Sequence, residues 1–283
     1  MKLFILGLLI SNFSYAWTLN NNFGAYFKDS KVKVYVDEST VCDKNQVTYS
    51  ELEGLIRPAV DDFWNKIPTT NLNLIPAGFS VPITTINEGR LCSPTDDQCI
   101  QEGTNAGNDG TPADGLIPAV NDIVIACNSN PDNFGGGNVL AVTIPNKFSG
   151  KKIVGAIILI NDSSDTFGRL SRSDQIAVIA HEIGHALGLG HSENQSALMY
   201  YRTVQLRQAL GQDDIDGISY LYPIGGDLYG LSDDGIISCG TVTSKETPPS
   251  NSPPLQMGIT FASLIVIFEI LKLFNRPKTR TTP

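Results

Sequence analysis

The stretch HEIGHALGLGH, His181 to His191, holds all three histidines of a 283-residue chain. An α-helix advances 3.6 residues per turn, so His181 and His185 project from one face a turn apart. That spacing supplies two nitrogen ligands at a fixed separation. Glu182 follows the first ligand and is near enough to act as a general base without taking a coordination position. His191 cannot join the same face unless the chain turns back, and Gly188 permits the positive φ with which helices end. Three neutral imidazoles leave a fourth position open, the arrangement of a catalytic zinc site and not of a closed structural one.

A bare HExxH arises by chance in many chains. The extended HExxHxxGxxH is far more demanding and is a zinc-protease signature. Downstream, Met199 in SALMYY lies eight residues beyond His191, and QDDIDGISYLYP runs from Gln212 to Pro223. With these strings the chain resembles the metzincin metalloproteases, and within them the matrixin branch. The resemblance covers roughly Val32 to Pro223, with specific motifs only from Asp174 to Tyr222.

It implies an α+β, zincin-like catalytic domain: a mixed twisted sheet, an active-site helix, a methionine turn at Met199 and a C-terminal helix. An aspartate of the Asp213 and Asp214 pair would hold that turn from below. The implied activity is a zinc-dependent endopeptidase acting on a protein or peptide, with one catalytic Zn2+ and a water activated by Glu182. The peptide would lie antiparallel to an edge strand, here Val139 to Ile144. Ala177, four residues before the first ligand, would leave a roomy specificity pocket. One departure is informative, since matrixins usually carry proline two residues after the methionine and this chain has Tyr201. Astacin-like and serralysin-like relatives have tyrosine there, which makes Tyr201 a candidate oxyanion partner. The histidines that hold a second, structural zinc in vertebrate matrixins have no counterpart, and no cysteine-switch propeptide is recognisable. Two other readings stay open: a catalytically silent fold used for adhesion, and a zinc hydrolase acting on a non-protein bond.

The rest of the chain suits such a domain. Lys31 to Val36 alternates charged and apolar residues as a half-buried strand does, and Thr48 to Ile67 carries apolar residues at helical spacing. Asn71–Ile75, Asp122–Ala126, Val139–Ile144 and Ile153–Ile160 read as further strands. Ser171 or Ser173, with Asp174, would cap the zinc helix. Residues 87–115 are polar and glycine-rich and read as a surface insertion. Asp162 and Asp165, with carbonyls near Asn161, offer oxygen ligands that Ca2+ could use.

Both ends differ in composition from the domain, which the sequence bounds at 17–224. Residues 1–16 read as a signal peptide, with Lys2, an apolar run and a small-x-small exit at Ser14-Tyr15-Ala16. Export to an extracytoplasmic, oxidising setting follows. The five cysteines then suit disulfides, Cys92 with Cys99 across a short loop and Cys42 with Cys127, leaving Cys239 over; the connectivity is not fixed by the sequence. Residues 225–256 read as a Pro/Ser/Gly linker. Residues 257–274 are apolar and precede a basic tail, 275–283, as a membrane-anchoring helix would, with a processed sorting signal as the alternative. Of the 20 basic and 29 acidic residues, setting aside Lys2, Lys272, Arg276, Lys278, Arg280 and Glu269 leaves 15 against 28. So acidic a body excludes nucleic acid as a partner. A monomer is expected.

Overall fold

The computed structural model describes residues 17–20, 24–83, 85–91, 115–135, 138–202, 207 and 209–224. The signal peptide, the loop holding Cys92 and Cys99, the linker, the 257–274 stretch and the basic tail lie outside these residues. Among the described residues no helix is long and apolar enough to cross a membrane.

Five strands form one sheet: β1 (Lys31–Asp37), β2 (Asn73–Ser80), β3 (Asp122–Asn128), β4 (Ala141–Ser149) and β5 (Lys152–Asn161). Their order is β2-β1-β3-β5-β4, all parallel except β4, which pairs antiparallel with β5 at one edge. The central strands read as almost continuous apolar runs because both of their faces are buried. On β3, Ile123, Ile125 and Cys127 face the helices, while Val124 and Ala126 face a smaller cluster containing Ile86, Ile117 and Phe134.

Among the described residues three helices accompany the sheet: α1 (Tyr49–Asp61), α2 (Arg172–Ala186) and α3 (Gln212–Leu221). Thr48 caps α1 in a reciprocal box with Glu51. The helix is shorter than the periodicity up to Ile67 predicts, for it ends at Asp61 and a 3₁₀ turn follows at Trp64–Lys66. Pro58 sits inside α1 and has no N–H to offer the carbonyl of Gly54. Arg172 of α2 donates to that carbonyl instead, at 2.9 Å, so the gap in one helix becomes a tie to the other. A second tie runs from Trp64 Nε1 to Ala180 O at 2.9 Å.

Strand β2 continues beyond the predicted Ile75 to Ser80, through Pro76 and Gly78. Proline is tolerated there because β2 is an edge strand. The described ends of the predicted surface insertion are built into the fold. Ile86 and Leu91 are buried, Asn87 accepts from Val41 N and donates to Ser39 O, and Arg90 bridges Leu116.

Cys42 and Cys127 form a disulfide that closes a separation of 85 residues. A loop of that length removes about 4.6 kcal/mol of denatured-state freedom in the chain-entropy account, of which engineered removals commonly recover only part. Replacing both cysteines with alanine is expected to lower stability by about 3–4 kcal/mol, read as a lower denaturant midpoint with a steeper slope, because the uncrosslinked denatured chain exposes more surface.

Candidate metal centre and active site

Helix α2 begins at Ser171, whose side chain accepts from Asp174 N, so Ser171 is the cap and Ser173 is not. The helix then carries His181 and His185 on one face, as their spacing requires. Gly188 adopts φ +110 and reverses the chain, bringing His191 back until its Nε2 lies 3.3 Å from His185 Nε2. Ligand atoms of the three histidines all lie within 4.8 Å of one another.

Each helical ligand is held by its other nitrogen. His181 Nδ1 donates to Leu198 O at 2.7 Å and His185 Nδ1 to Leu189 O at 2.8 Å. A carbonyl can only accept, so both rings carry the proton on Nδ1 and turn the Nε2 lone pair inward. Tetrahedral zinc with bonds of about 2.0–2.1 Å needs ligand nitrogens about 3.3–3.4 Å apart, and the His185–His191 separation meets that. The donor set therefore fits zinc.

Burial pushes all three imidazoles below their ordinary value of 6.5, His181 furthest. They are the neutral forms that a metal requires, and protons compete for them only below 6.5. The sign for folding is the same: with depressed folded values, their contribution is intact above 6.5 and is lost as pH falls through the lowered values. The zinc-induced rise in Tm is thus expected to be as large at pH 6.5 as at pH 7.5 and to shrink only below. Thermal unfolding with and without zinc at pH 7.5, 6.5 and 5.5 tests this; an increment already halved at pH 6.5 contradicts it.

Glu182 is 7% exposed. Thr143 on β4 reaches both ends of it, donating to the carboxylate oxygen Oε2 at 2.5 Å and approaching the backbone oxygen at 3.2 Å. Burial raises the Glu182 carboxyl to about 7, and the Thr143 hydrogen bond and nearby His191 oppose the rise. A dication beside it would favour the charged form further. The three histidines and Glu182 open onto a cleft of about 890 Å3, one wall of which is the start of β4 and the residues before it, Asn138 to Thr143.

Beneath the ligands the packing is tight. A Cβ on Gly184 would meet Met199 Sδ at 2.4 Å and the Trp64 ring at 2.8 Å, so this glycine lets the methionine and tryptophan come up under the helix. Asp214 accepts from Leu198 N at 2.6 Å, Met199 N at 3.0 Å and Gly211 N at 2.7 Å. Its carboxylate ties the methionine turn to the start of α3. Asp213 takes a different role, accepting a short hydrogen bond from the Ser192 hydroxyl just after the third ligand.

Several residues of the site carry no sequence signal. The segment 17–20 bonds to the loop that bears His191: Thr18 Oγ1 to His191 O at 2.7 Å, Gly190 N to Thr18 O at 2.7 Å, and Asn20 Nδ2 to His185 O at 2.9 Å. Tyr222 is fully enclosed; its hydroxyl donates to Leu187 O at the end of α2 and accepts from Phe27 N, both at 2.9 Å. Burial drives its phenol strongly upward, so it stays a donor. Only the polar residue types hinted at Thr143, Thr18 and Asn20.

Tyr201 lines the cleft, is 48% exposed and packs at a tilt against Tyr200. Ala177, expected to shape the specificity pocket, is not among the cleft-lining residues, whereas its neighbour Val178, equally buried, is. One step along a helix is a rotation of about 100°, enough to carry Ala177 off that wall. The acidic groups considered for calcium are engaged otherwise. Asp162 accepts from Lys44 N, Asn45 N and Asn45 Nδ2, and Asp165 pairs with Arg169. Among the described residues the histidine triad is the one group of three metal-ligating side chains close enough to share an ion.

The matrixin family model (Peptidase M10) matches residues 125–223, from β3 to the end of α3. Over 90 residues the chain is 40% identical to stromelysin-2 of Rattus norvegicus, covering 30% of this chain and 18% of that protein. It is 38% identical over 94 residues to neutrophil collagenase of Homo sapiens (31% and 18%). Against metalloendoproteinase 1 of Glycine max it is 52% identical over 58 residues (19% and 18%). The chain thus spans less than a fifth of the length of each of these relatives. The matched segment contains the three histidines, Glu182, the methionine turn and its aspartate support, and over these residues the chain is similar to the matrixin family.

Proposed function

We propose that the chain is an exported endopeptidase that cleaves extended polypeptides in extracytoplasmic proteins, with Glu182 as its general base. The observation that carries this reading is the meeting of three inward-facing Nε2 atoms and a buried carboxylate in a cleft walled by an open sheet edge. Bound to His181, His185 and His191, zinc would supply Lewis acidity toward a water and the scissile carbonyl.

The chain's own groups do the rest. Among the described residues strand β4 is unpaired on its outer side, so a peptide can add to it as a further antiparallel strand through main-chain hydrogen bonds. Thr143 occupies Oε2 of Glu182 and leaves Oε1 to take the proton of the attacking water. The same carboxyl then delivers that proton to the departing amine. Tyr201, at the mouth of the cleft, would donate to the oxyanion. Val178 supports an apolar preference in the adjoining pocket. All of these residues come from one chain, so a monomer suffices.

The Cys42–Cys127 disulfide supports an oxidising compartment, and the apolar run at 257–274 with its basic tail supports attachment to a membrane. Calcium has no part in this reading.

A quenched, unfolded protein substrate tests the proposal. Cleavage is expected to disappear with a chelator and return with added zinc. Tyr201→Phe in the same assay is expected to lower kcat, by less than the roughly 10²-fold typical of a fixed oxyanion donor because half of this side chain is in water. A folded, zinc-loaded chain that cuts nothing refutes the activity, and an unchanged kcat in Tyr201→Phe removes the tyrosine from it.

A further inference from the structure

Six of the eight lysines among the described residues, Lys28, Lys31, Lys33, Lys147, Lys151 and Lys152, gather at one end of the sheet. This is where β1, β3 and β5 begin and β4 finishes. Lys147 pairs across to Gly155, Gly155 pairs with Asp122, and Lys28 N bonds to Ile153 O. The clustering is notable in a chain of net charge −9.

A cavity of about 370 Å3 opens here, lined by Lys28, Lys31 and Lys147 and walled by Phe27 and Phe148. Two carboxylates, Asp29 and Asp122, also line it, and Asp122 already accepts from the Lys33 backbone. The ion pairs formed among the described residues, Arg57–Asp61, Lys66–Asp62 and Arg169–Asp165, lie elsewhere. Lys147 meets the neutral Asn121, and Lys152 lies over the Tyr26 ring. Around the cavity three cations face two carboxylates, and Lys33, Lys151 and Lys152 beside it leave this end of the sheet positive.

One of these lysines, Lys147, stands on the same edge strand as the wall of the metal site. Thr143, beside Glu182, and Lys147, at the lysine cluster, are four residues apart on β4, about 13 Å at 3.3 Å per residue. Bulges between Pro145 and Phe148 turn the far end of the strand, and its side chains, toward the lysine-lined cavity. A peptide paired antiparallel with β4 runs toward its own N-terminus as β4 runs forward. The part of that peptide reaching the lysines therefore lies upstream of the bond at the metal.

Resting on the proposed peptidase activity, we infer that this end of the molecule is an extended subsite for acidic residues about four to seven positions N-terminal to the scissile bond. It selects substrates by charge, at a distance from the chemistry. Screening by salt weakens such a subsite, because its charges lie at the surface.

The test uses the full chain and two peptides with one cleavable core, preceded by three glutamates or by three glutamines. The acidic peptide is expected to have a kcat/KM about fivefold to tenfold higher at low salt, through KM, with the advantage shrinking as salt rises. Lys28→Gln/Lys31→Gln/Lys151→Gln is expected to abolish the advantage and leave cleavage of the glutamine peptide unchanged. Equal cleavage of the two peptides, or a preference that survives the triple substitution, overturns the inference. So does an equal gain from glutamates placed downstream. Binding of a sulfated polysaccharide to the lysines, with no peptide preference, would assign the surface to that polymer and refute the subsite. A chain that cuts neither peptide nor an unfolded protein refutes the peptidase reading itself, an outcome distinct from equal cleavage.

Discussion

Glu182→Gln is expected to lower kcat on a peptide substrate by about 10³–10⁴-fold while zinc content and fold stay as they are. The magnitude follows from losing one positioned group that handles two proton transfers, each of which ordinarily accounts for a factor of about 10² or more. Glutamine has the size and shape of glutamate, and its amide oxygen can keep the Thr143 hydroxyl as donor. What it lacks is a basic oxygen for the water's proton. The zinc should remain because the ligand atoms are imidazole nitrogens whose orientation depends on Leu198 and Leu189 and not on Glu182. The measurement is kcat beside metal content by atomic absorption. A variant that retains zinc and a tenth of the activity would show that another group takes the proton.

Asp214→Ala has the largest expected effect on stability. Three N–H groups, on Leu198, Met199 and Gly211, lose their common acceptor in a position where Asp214 itself is 1% exposed. An unsatisfied buried donor costs about 1–3 kcal/mol, so a total of about 4 kcal/mol follows after partial rescue by water. In a domain of this size each kcal/mol shifts Tm by about 2–4 °C, which makes a fall of about 10 °C the expected result of thermal unfolding. The damage also reaches the metal, since Leu198 gives its N–H to Asp214 and its carbonyl to His181 Nδ1. Zinc affinity should fall with stability. Asp213→Ala, which removes one hydroxyl partner at Ser192, should cost markedly less, and equal losses would refute this division of roles.

The part of the site that could be read in advance is the part encoded by short-range spacing. His181, Glu182, His185, Gly188 and His191 declare themselves because helix periodicity and a reversal at glycine fix where each must go. Met199 and the two aspartates follow at short intervals. Thr143 could not be found this way, because it meets Glu182 across 39 residues on a different element. Thr18 and Asn20 touch the ligand loop across more than 160 residues, and nothing in a local window points so far. The two hydrogen bonds of Tyr222 depend on tertiary packing, across 195 residues to Phe27 and 35 to Leu187.

In the fold, the central strands were legible as apolar runs, whereas β2 was cut short by Pro76 and Gly78, residues whose usual meaning is a turn. Helix α1 was overextended because Phe63 and Trp64 continue the apolar rhythm after the helical hydrogen bonds have ended. Ala177 and Val178 show the finest limit: which of two adjacent small residues faces the cleft is a question of helix phase, and the sheet on which the helix rests decides it.

The bonds from residues 17–20 to residues 185–191 also bear on when the protein becomes competent. The loop that carries the third ligand is stapled by the chain's first described residues, and the turn beneath the first ligand is held by Asp214 near the end of the domain. Contacts so distant in sequence form late in folding. A nascent chain therefore has the three histidines but not the frame that aligns them, and a site able to hold a metal arrives together with completion of the whole fold. Order of assembly thus acts as a timer on the site.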